Sequence, residues 1–118
     1  MMNLYEKIGV KYPTIVEHMC TAAISAGLEI MDVYCKSDFG VEIKKDNSPV
    51  TLADKVSDKV IGDILKLNIP DIPIVSEESV ESLKLGLGDT YFLVDPLDGT
   101  KEFIKKTGEF TVNIALIQ

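Results

Sequence analysis

One segment constrains the fold and the chemistry of this chain more than any other. It is the run Tyr91-Phe-Leu-Val-Asp95-Pro-Leu-Asp98-Gly-Thr100-Lys-Glu-Phe103. The β-favouring residues before Asp-Pro predict a buried strand that ends in a sharp turn. Because Pro96 has no N–H and a fixed φ, we expect the chain to leave the strand at Asp95, and Gly99 permits a tight return. Two carboxylates and a hydroxyl then crowd together at the end of a strand.

This turn has two interpretations, and its own sequence does not choose between them. Carboxylates gathered this closely repel each other, and a hard divalent cation with oxygen ligands relieves the repulsion. In an ordinary Asp-rich turn, by contrast, the side chains hydrogen-bond to their own backbone.

Length and charge limit the classes of function. A chain of 118 residues suits one compact domain, and 46% hydrophobic and 26% charged residues are ordinary for a soluble globular protein. The net charge of −7 argues against a general nucleic-acid-binding surface. A small phosphorylated partner stays compatible with this charge, because a bound metal would reverse the local sign.

Targeting and redox signals are absent from the sequence. It contains no apolar stretch of about 18 residues that could span a membrane, and its start lacks the apolar core of a signal peptide. Cys20 and Cys35 fit neither a CxxC motif nor a disulfide framework. We therefore expect reduced thiols packed on a helix in a cytoplasmic protein, with peripheral association with the inner membrane left open.

Hydrophobic periodicity predicts an α+β domain in which helices pack, in two layers, on a mixed, largely antiparallel sheet. We expect helices over Thr14–Tyr34 and Leu52–Leu67, the second with Thr51 as N-cap, and a brief helical turn at Phe103-Ile104. The predicted strands are Val41–Lys45 (half-buried), Ile72–Val75, Tyr91–Val94 and Phe110–Ile117, with a surface loop or a short helical turn over Glu81–Asp89. The last strand is typical of a central strand in a larger sheet, so we expect the fold to be incomplete.

Three acidic clusters lie where a predicted strand ends or a helix begins: Asp54, Glu77-Glu78, and Asp95 with Asp98. Asp54 alone is better explained as the third helical residue of a capping box that starts at Thr51. Glu77-Glu78 alone could be a solvated pair. The repetition favours a shared site, because unrelated surface acids need not all follow short apolar strands.

Together these residues could form a hard-cation centre. Glu77, Asp95 and Asp98 supply carboxylates, and the Leu97 carbonyl could add another oxygen. The Thr100 hydroxyl can bind a metal-bound water while it donates to a carboxylate. With Asp54 as that carboxylate, the pair would activate the water for attack on phosphorus.

The motifs resemble those of the lithium-sensitive, Mg²⁺-dependent inositol monophosphatase superfamily. The resemblance lies in Asp95-Pro-Leu-Asp98-Gly-Thr100, in the Glu77-Glu78 pair, and in Pro49-Val-Thr51-Leu-Ala-Asp54, and it extends from the first helix to Gln118. Lys44-Lys-Asp-Asn-Ser-Pro-Val-Thr51 and Glu102-Phe103 most resemble the CysQ-type 3'(2'),5'-bisphosphate nucleotidases. Inositol monophosphatases usually have Asn-Phe at the latter position.

The resemblance implies a role for each site residue. Glu77 and Asp95, with the Leu97 carbonyl, would hold one Mg²⁺, and Asp95 and Asp98 a second, while Glu77 would also contact a loosely bound third. Thr100 and Asp54 would prepare the nucleophilic water, and the Gly99 and Thr100 N–H groups would bind phosphate. The implied reaction converts adenosine 3',5'-bisphosphate and water to AMP and phosphate, with inhibition by Li⁺, and clears a by-product of sulfate assimilation.

The resemblance also implies that residues 1–118 form the amino-terminal, metal-binding domain of the inositol monophosphatase and fructose-1,6-bisphosphatase-like fold. Family members continue into a domain that supplies a further metal-binding Asp in a Trp-Asp motif, and this chain has no Trp. We therefore expect a truncated piece that binds Mg²⁺ weakly, hydrolyses little or nothing alone, and self-associates through exposed apolar surface. Two alternatives stay open: an inositol-phosphate phosphatase, and a non-catalytic metal-binding module.

Overall fold

The computed structural model describes residues 13–78 and 89–118. The helices are α1 (Pro13–Tyr34), α2 (Leu52–Asn68) and the short α3 (Thr100–Ile104). The strands are β1 (Glu42–Ile43), β2 (Pro49–Val50), β3 (Ile74–Ser76), β4 (Tyr91–Asp98) and β5 (Thr111–Ile117). The predicted positions of both long helices and of the helical turn at Phe103 are confirmed.

A three-stranded mixed sheet lies at the centre of the molecule, in the order β3-β4-β5. β3 runs parallel to β4, with Ser76 opposite Val94, and β4 runs antiparallel to β5. β1 and β2 form a separate antiparallel pair. Within the described residues β5 pairs with β4 alone, so its place in a larger sheet stays a prediction.

α1 and α2 pack against each other and cover one face of this sheet. The sheet contributes Phe92 and Val94 to the core, and the helices contribute Ala22, Ala26, Ile61 and Leu65. Leu93, between the two buried sheet residues, points to the opposite face and is 44% exposed. The predicted two-layer α+β architecture is confirmed.

A second buried cluster lies around the ring of Phe103 on α3. The rings of Tyr34, Phe39 and Phe110 surround it, and their centroids lie 4.9 to 5.1 Å from the centroid of the Phe103 ring. These contacts hold α3 against the carboxyl end of α1. They therefore position the turn at Gly99-Thr100 that immediately precedes the Phe103 ring.

The predicted end of the strand at Asp95 is wrong, because β4 continues to Asp98. Pro96 is fully buried within the strand, and the pairing with β5 is irregular between Asp95 and Asp98. A proline is tolerated in a strand at such an irregularity, because the neighbouring strand has no carbonyl there that needs an N–H donor from the proline position.

Two further expectations are corrected. The Val41–Lys45 strand reduces to Glu42–Ile43, and both residues are exposed because this strand pairs only with the short β2. Cys20 and Cys35 are free and exposed rather than packed, and α1 ends before Cys35.

Most of the segment predicted as a loop or helical turn over residues 81–89 lies outside the described residues. No helix in the described part of the chain is long and apolar enough to cross a membrane.

Candidate active site

The topology of the sheet brings two of the acidic motifs together. Because β3 and β4 are parallel, their carboxyl ends meet at the same edge of the sheet. Glu77 immediately follows β3, and its backbone N–H donates to the Val94 carbonyl at 3.3 Å. The next residue of β4 is Asp95, so the Glu77 and Asp95 segments are neighbours, which is the condition for a shared site.

A cleft of about 360 Å³ opens at this edge. Its lining includes every predicted metal- and phosphate-binding residue, namely Glu77, Asp95, Leu97, Asp98, Gly99 and Thr100. Two lysines also line it, Lys44 from the β1–β2 turn and Lys101 from α3. The structure thus collects the predicted ligands in one polar depression.

Asp54 lies beneath this cleft and is fully buried. Its Oδ2 accepts hydrogen bonds from the Thr51 N–H and the Thr51 hydroxyl, both at 2.7 Å. Its Oδ1 accepts a hydrogen bond from the Thr100 hydroxyl at 2.8 Å. The capping and site interpretations of Asp54 are therefore compatible, because the carboxylate uses one oxygen for each.

Gly99 is the turning point between β4 and α3. Its φ of +97° lies in the left-handed region, and a Cβ at this position would lie 2.6 Å from the Glu109 carbonyl oxygen. Only glycine satisfies both conditions without strain. The first N–H groups of a helix have no acceptor within the helix, so the start of α3 leaves donors beside the cleft.

The cleft is electrostatically unfavourable without a cation. Burial, followed by repulsion from Glu77 and Asp98, raises the pKa of the Asp95 carboxyl above its usual range. Burial also raises the pKa of Glu78, although Lys44 opposes this shift through an ion pair at 3.4 Å. Positive charge placed among these carboxylates would relieve the repulsion.

The acidic side chains do not form a closed metal cage. Among the described residues, no three His, Cys, Asp or Glu side chains converge closely enough to define one. This is compatible with Mg²⁺, which keeps several water ligands and uses one or two carboxylates rather than an all-protein cage. The oxygen donors around Asp95 therefore fit this ion by chemistry and by charge.

The sequence patterns did not predict three polar contacts around the cleft. Ser57 on α2 donates to the Pro96 carbonyl at 2.7 Å, and the Ser76 hydroxyl donates to Asp58. Ser57 and Asp58 follow Asp54 by three and four residues, and this helical spacing was the available signal. The Lys44–Glu78 pair joins residues 34 positions apart, and no local pattern indicates it.

Known proteins share the sequence pattern and the fold of this chain. The chain matches the inositol monophosphatase family over residues 12–118, and it belongs to that family. The predicted resemblance is thereby confirmed.

Its relatives include two curated proteins named 3'(2'),5'-bisphosphate nucleotidase CysQ. The one from Buchnera aphidicola is 43% identical over 119 aligned residues, which cover 99% of this chain and 45% of the relative. The one from Escherichia coli K12 is 50% identical over 105 residues, covering 87% and 43%. The chain thus spans less than half the length of these relatives.

A solved structure shows the same fold. The crystal structure of CysQ from Bacteroides thetaiotaomicron, described as a bacterial member of the inositol monophosphatase family, aligns with a TM-score of 0.71 at 44% identity. The alignment covers 92% of this chain and 40% of that one.

Proposed function

We propose that this chain supplies the amino-terminal, metal- and water-positioning part of a Mg²⁺-dependent phosphomonoesterase. The proposed reaction converts adenosine 3',5'-bisphosphate and water to AMP and phosphate. The observation that carries it is the hydrogen bond from Thr100 to Asp54 at the floor of an acid-lined cleft. The names of the relatives, at 43% and 50% identity, support the choice of a bisphosphate nucleotide as substrate.

The proposed ligands of two or three Mg²⁺ ions are Glu77, Asp95, Asp98 and the Leu97 carbonyl. When bound there, Mg²⁺ lowers the pKa of a water ligand and neutralises charge on the phosphate. The pKa of Asp95, raised first by burial and then by repulsion from Glu77 and Asp98, supports this assignment, because a nearby cation would offset both effects. Inhibition by Li⁺ belongs to the same proposal.

Thr100 and Asp54 then accept the proton of the attacking water. Because the Thr100 hydroxyl donates to Asp54 Oδ1, its lone pairs are directed away from Asp54 and can accept a hydrogen bond from a water in the cleft. As the water oxygen bonds to phosphorus, its proton passes to Thr100 Oγ1 and the Thr100 proton passes to Asp54 Oδ1. The bond from phosphorus to the ribose 3'-oxygen breaks, and that oxygen leaves as part of AMP and takes a proton from solvent water. The N–H groups of Gly99 and Thr100 bind the phosphate oxygens.

The two alternatives have weaker support. An inositol-phosphate phosphatase would also fit the family, but both curated relatives described above are named as bisphosphate nucleotidases. A non-catalytic metal-binding module would have no need of the Thr100–Asp54 hydrogen bond.

The proposal includes a cytoplasmic location, where adenosine 3',5'-bisphosphate is a by-product of sulfate assimilation.

The test measures phosphate release by the protein at its full natural length, with adenosine 3',5'-bisphosphate and inositol 1-phosphate compared over a range of Mg²⁺ concentrations. We expect the nucleotide to be preferred and the activity to require Mg²⁺. Thr100→Ala should lower the rate by about 10² to 10⁴-fold, because general base assistance is lost. Asp98→Asn should raise the Mg²⁺ concentration needed for half-maximal rate.

Asp71→Asn is the matched control for charge, because Asp71 is exposed and does not line the cleft. It should leave both parameters unchanged. Unaltered Mg²⁺ dependence in Asp98→Asn would refute the metal assignment. Faster turnover of inositol 1-phosphate than of the nucleotide would establish the first alternative instead.

A further inference from the structure

One face of α2 carries a row of polar side chains, each of which contacts a different segment of the cleft. Asp54 accepts the hydrogen bond from Thr100, as described above. One turn further along the helix, Ser57 donates to the Pro96 carbonyl and Asp58 accepts from Ser76. A single helix therefore contacts the end of β3, the end of β4 and the start of α3.

The Ser57 contact fixes a part of β4 that the sheet leaves unpaired. The ladder between β4 and β5 pairs Asp95 with Asn113 and resumes only at Asp98, so the peptide units at Pro96 and Leu97 have no regular partner in β5. Ser57 is fully buried, and its hydroxyl lies 2.7 Å from the Pro96 carbonyl oxygen. This bond sets the orientation of the chain between the Asp95 carboxylate and the Leu97 carbonyl.

The Asp58 contact holds the end of β3, which lies on the Glu77 side of the cleft. Ser76, the last residue of β3, is 1% exposed and directly precedes Glu77. Its hydroxyl donates to Asp58 and accepts from the Glu78 N–H at 3.3 Å, so it links α2 to the turn that presents Glu77. Neither Ser57 nor Asp58 lines the cleft itself.

We infer that Ser57 and Asp58 are positioning residues that set the distance between the Glu77 and Asp95 segments from one helix. This inference rests on the proposed function, because it assigns these two segments to a metal site. Both residues act through others: Ser57 acts through the Pro96 carbonyl, and Asp58 acts through the Ser76 hydroxyl. Partners that orient metal ligands in this indirect way typically contribute about 10- to 100-fold in metal affinity or activity.

The expected signature is a loss of Mg²⁺ affinity that is larger than the loss of rate at saturating Mg²⁺. Ser57→Ala removes the donor to a buried carbonyl and frees the segment between Asp95 and Leu97. We expect about 10- to 100-fold weaker Mg²⁺ binding. The rate at saturating Mg²⁺ should fall by much less, because the Thr100–Asp54 hydrogen bond does not involve Ser57.

Asp58 allows a conservative rescue. Asp58→Ala removes the acceptor for Ser76 and should also weaken Mg²⁺ binding. Asp58→Asn keeps a side-chain oxygen at the same distance from the helix, so it should restore most of the affinity. A general electrostatic role for the Asp58 charge would instead make the Asn and Ala variants equally weak.

The experiment is calorimetric titration of the full-length protein with Mg²⁺ alone, accompanied by thermal unfolding and by the Mg²⁺ dependence of phosphate release. Ile61→Val is the stability control. Ile61 is fully buried on the next turn of α2, and loss of one buried methyl group lowers the stability of the protein without touching the cleft. It should lower the unfolding temperature and leave Mg²⁺ affinity unchanged.

The outcomes separate the inference from the function on which it rests. Weaker Mg²⁺ binding in Ser57→Ala and Asp58→Ala, with recovery in Asp58→Asn, supports the inference. Wild-type affinity in both alanine variants, or an equal loss in Ile61→Val, overturns it while the proposed function stands. Absence of Mg²⁺ binding and of turnover in the unmodified protein would overturn the proposed function itself.

Discussion

At the scale of single residues, Asp54 shows how one carboxylate serves two structural demands. Its Oδ2 completes the capping box at the start of α2, and its Oδ1 holds the Thr100 hydroxyl. Neither contact competes with the other, because each oxygen has its own donors. Replacement of Asp54 would therefore disturb the helix and the site together, whereas replacement of Thr100 would disturb the site alone.

Gly99→Ala should destabilise the protein. The left-handed φ costs a side chain about 1–3 kcal/mol in general. In addition, the Cβ at residue 99 would approach the Glu109 carbonyl oxygen to 2.6 Å and force the backbone that precedes β5 away from the turn. Urea unfolding monitored by circular dichroism measures the loss.

Gly108→Ala is the matched comparison, because Gly108 also has a positive φ, of +81°, but has nothing within 4 Å of an added Cβ. The free energy of unfolding of Gly108→Ala should fall only by the part that comes from the left-handed backbone conformation. Equal losses in the two variants would show that the contact with Glu109 is unimportant.

The sequence indicates the candidate site where its residues lie close together in the chain, because the Asp95–Thr100 segment carries several oxygen donors within a few residues. The contacts of Ser57 and Asp58 were missed, although a helical spacing of three and four relates these residues to Asp54. The sequence predicts poorly where a contact depends on how distant segments meet. The ion pair from Lys44 to Glu78 requires the β1–β2 turn to lie beside the end of β3, and no local pattern specifies that arrangement.

At the scale of elements, β4 shows a limit of local rules. Proline predicts the end of a strand because it cannot donate to the ladder. In β4 the ladder is already irregular at that position, and the buried Ser57 hydroxyl satisfies the Pro96 carbonyl from the helix layer. The strand therefore continues, and a tertiary contact overrides a correct local preference.

Helix α1 contains a glycine that packing does not require. We expect Gly27→Ala to raise the free energy of unfolding by about 0.5–1 kcal/mol, because alanine loses less conformational entropy in a helix. Among the described residues, an added Cβ at Gly27 would have no neighbouring atom within 4 Å. Chemical denaturation measures the change.

Gly62→Ala on α2 is a second variant of the same kind, since its added Cβ also has nothing within 4 Å. The two increases should add in the double variant, because the sites are independent. A decrease at Gly27 alone would show that this position packs against a part of the protein outside the described residues.

At the scale of the whole molecule, apolar side chains cover both sides of α1. The side opposite the core includes Ile24 and Leu28, which are 67% and 70% exposed, together with Met31 at 47%. These residues recur at helical spacing and form a continuous stripe. A stripe of this kind on a free surface favours association.

We therefore expect the 118-residue chain to self-associate with rising concentration, and Leu28→Glu to shift it toward the monomer. Sedimentation velocity over a concentration series measures the effect. Leu67→Glu is the control, because Leu67 is 82% exposed but lies on α2 outside the stripe. A chain that stays monomeric throughout, or an equal shift in both variants, would contradict this expectation.

The two oxygens of Asp54 also differ in when their hydrogen bonds can form. The bonds at Oδ2 close over three residues and belong to a single helix end, whereas the bond at Oδ1 spans 46 residues and awaits β4. Local contacts of the first kind form early in folding, and contacts over long loops form late because of the entropy of closure. A growing polypeptide can thus carry a finished helix cap while the hydrogen bond between Thr100 and Asp54 does not yet exist. The two oxygens of one carboxylate therefore belong to different stages of folding, one local and one dependent on the sheet.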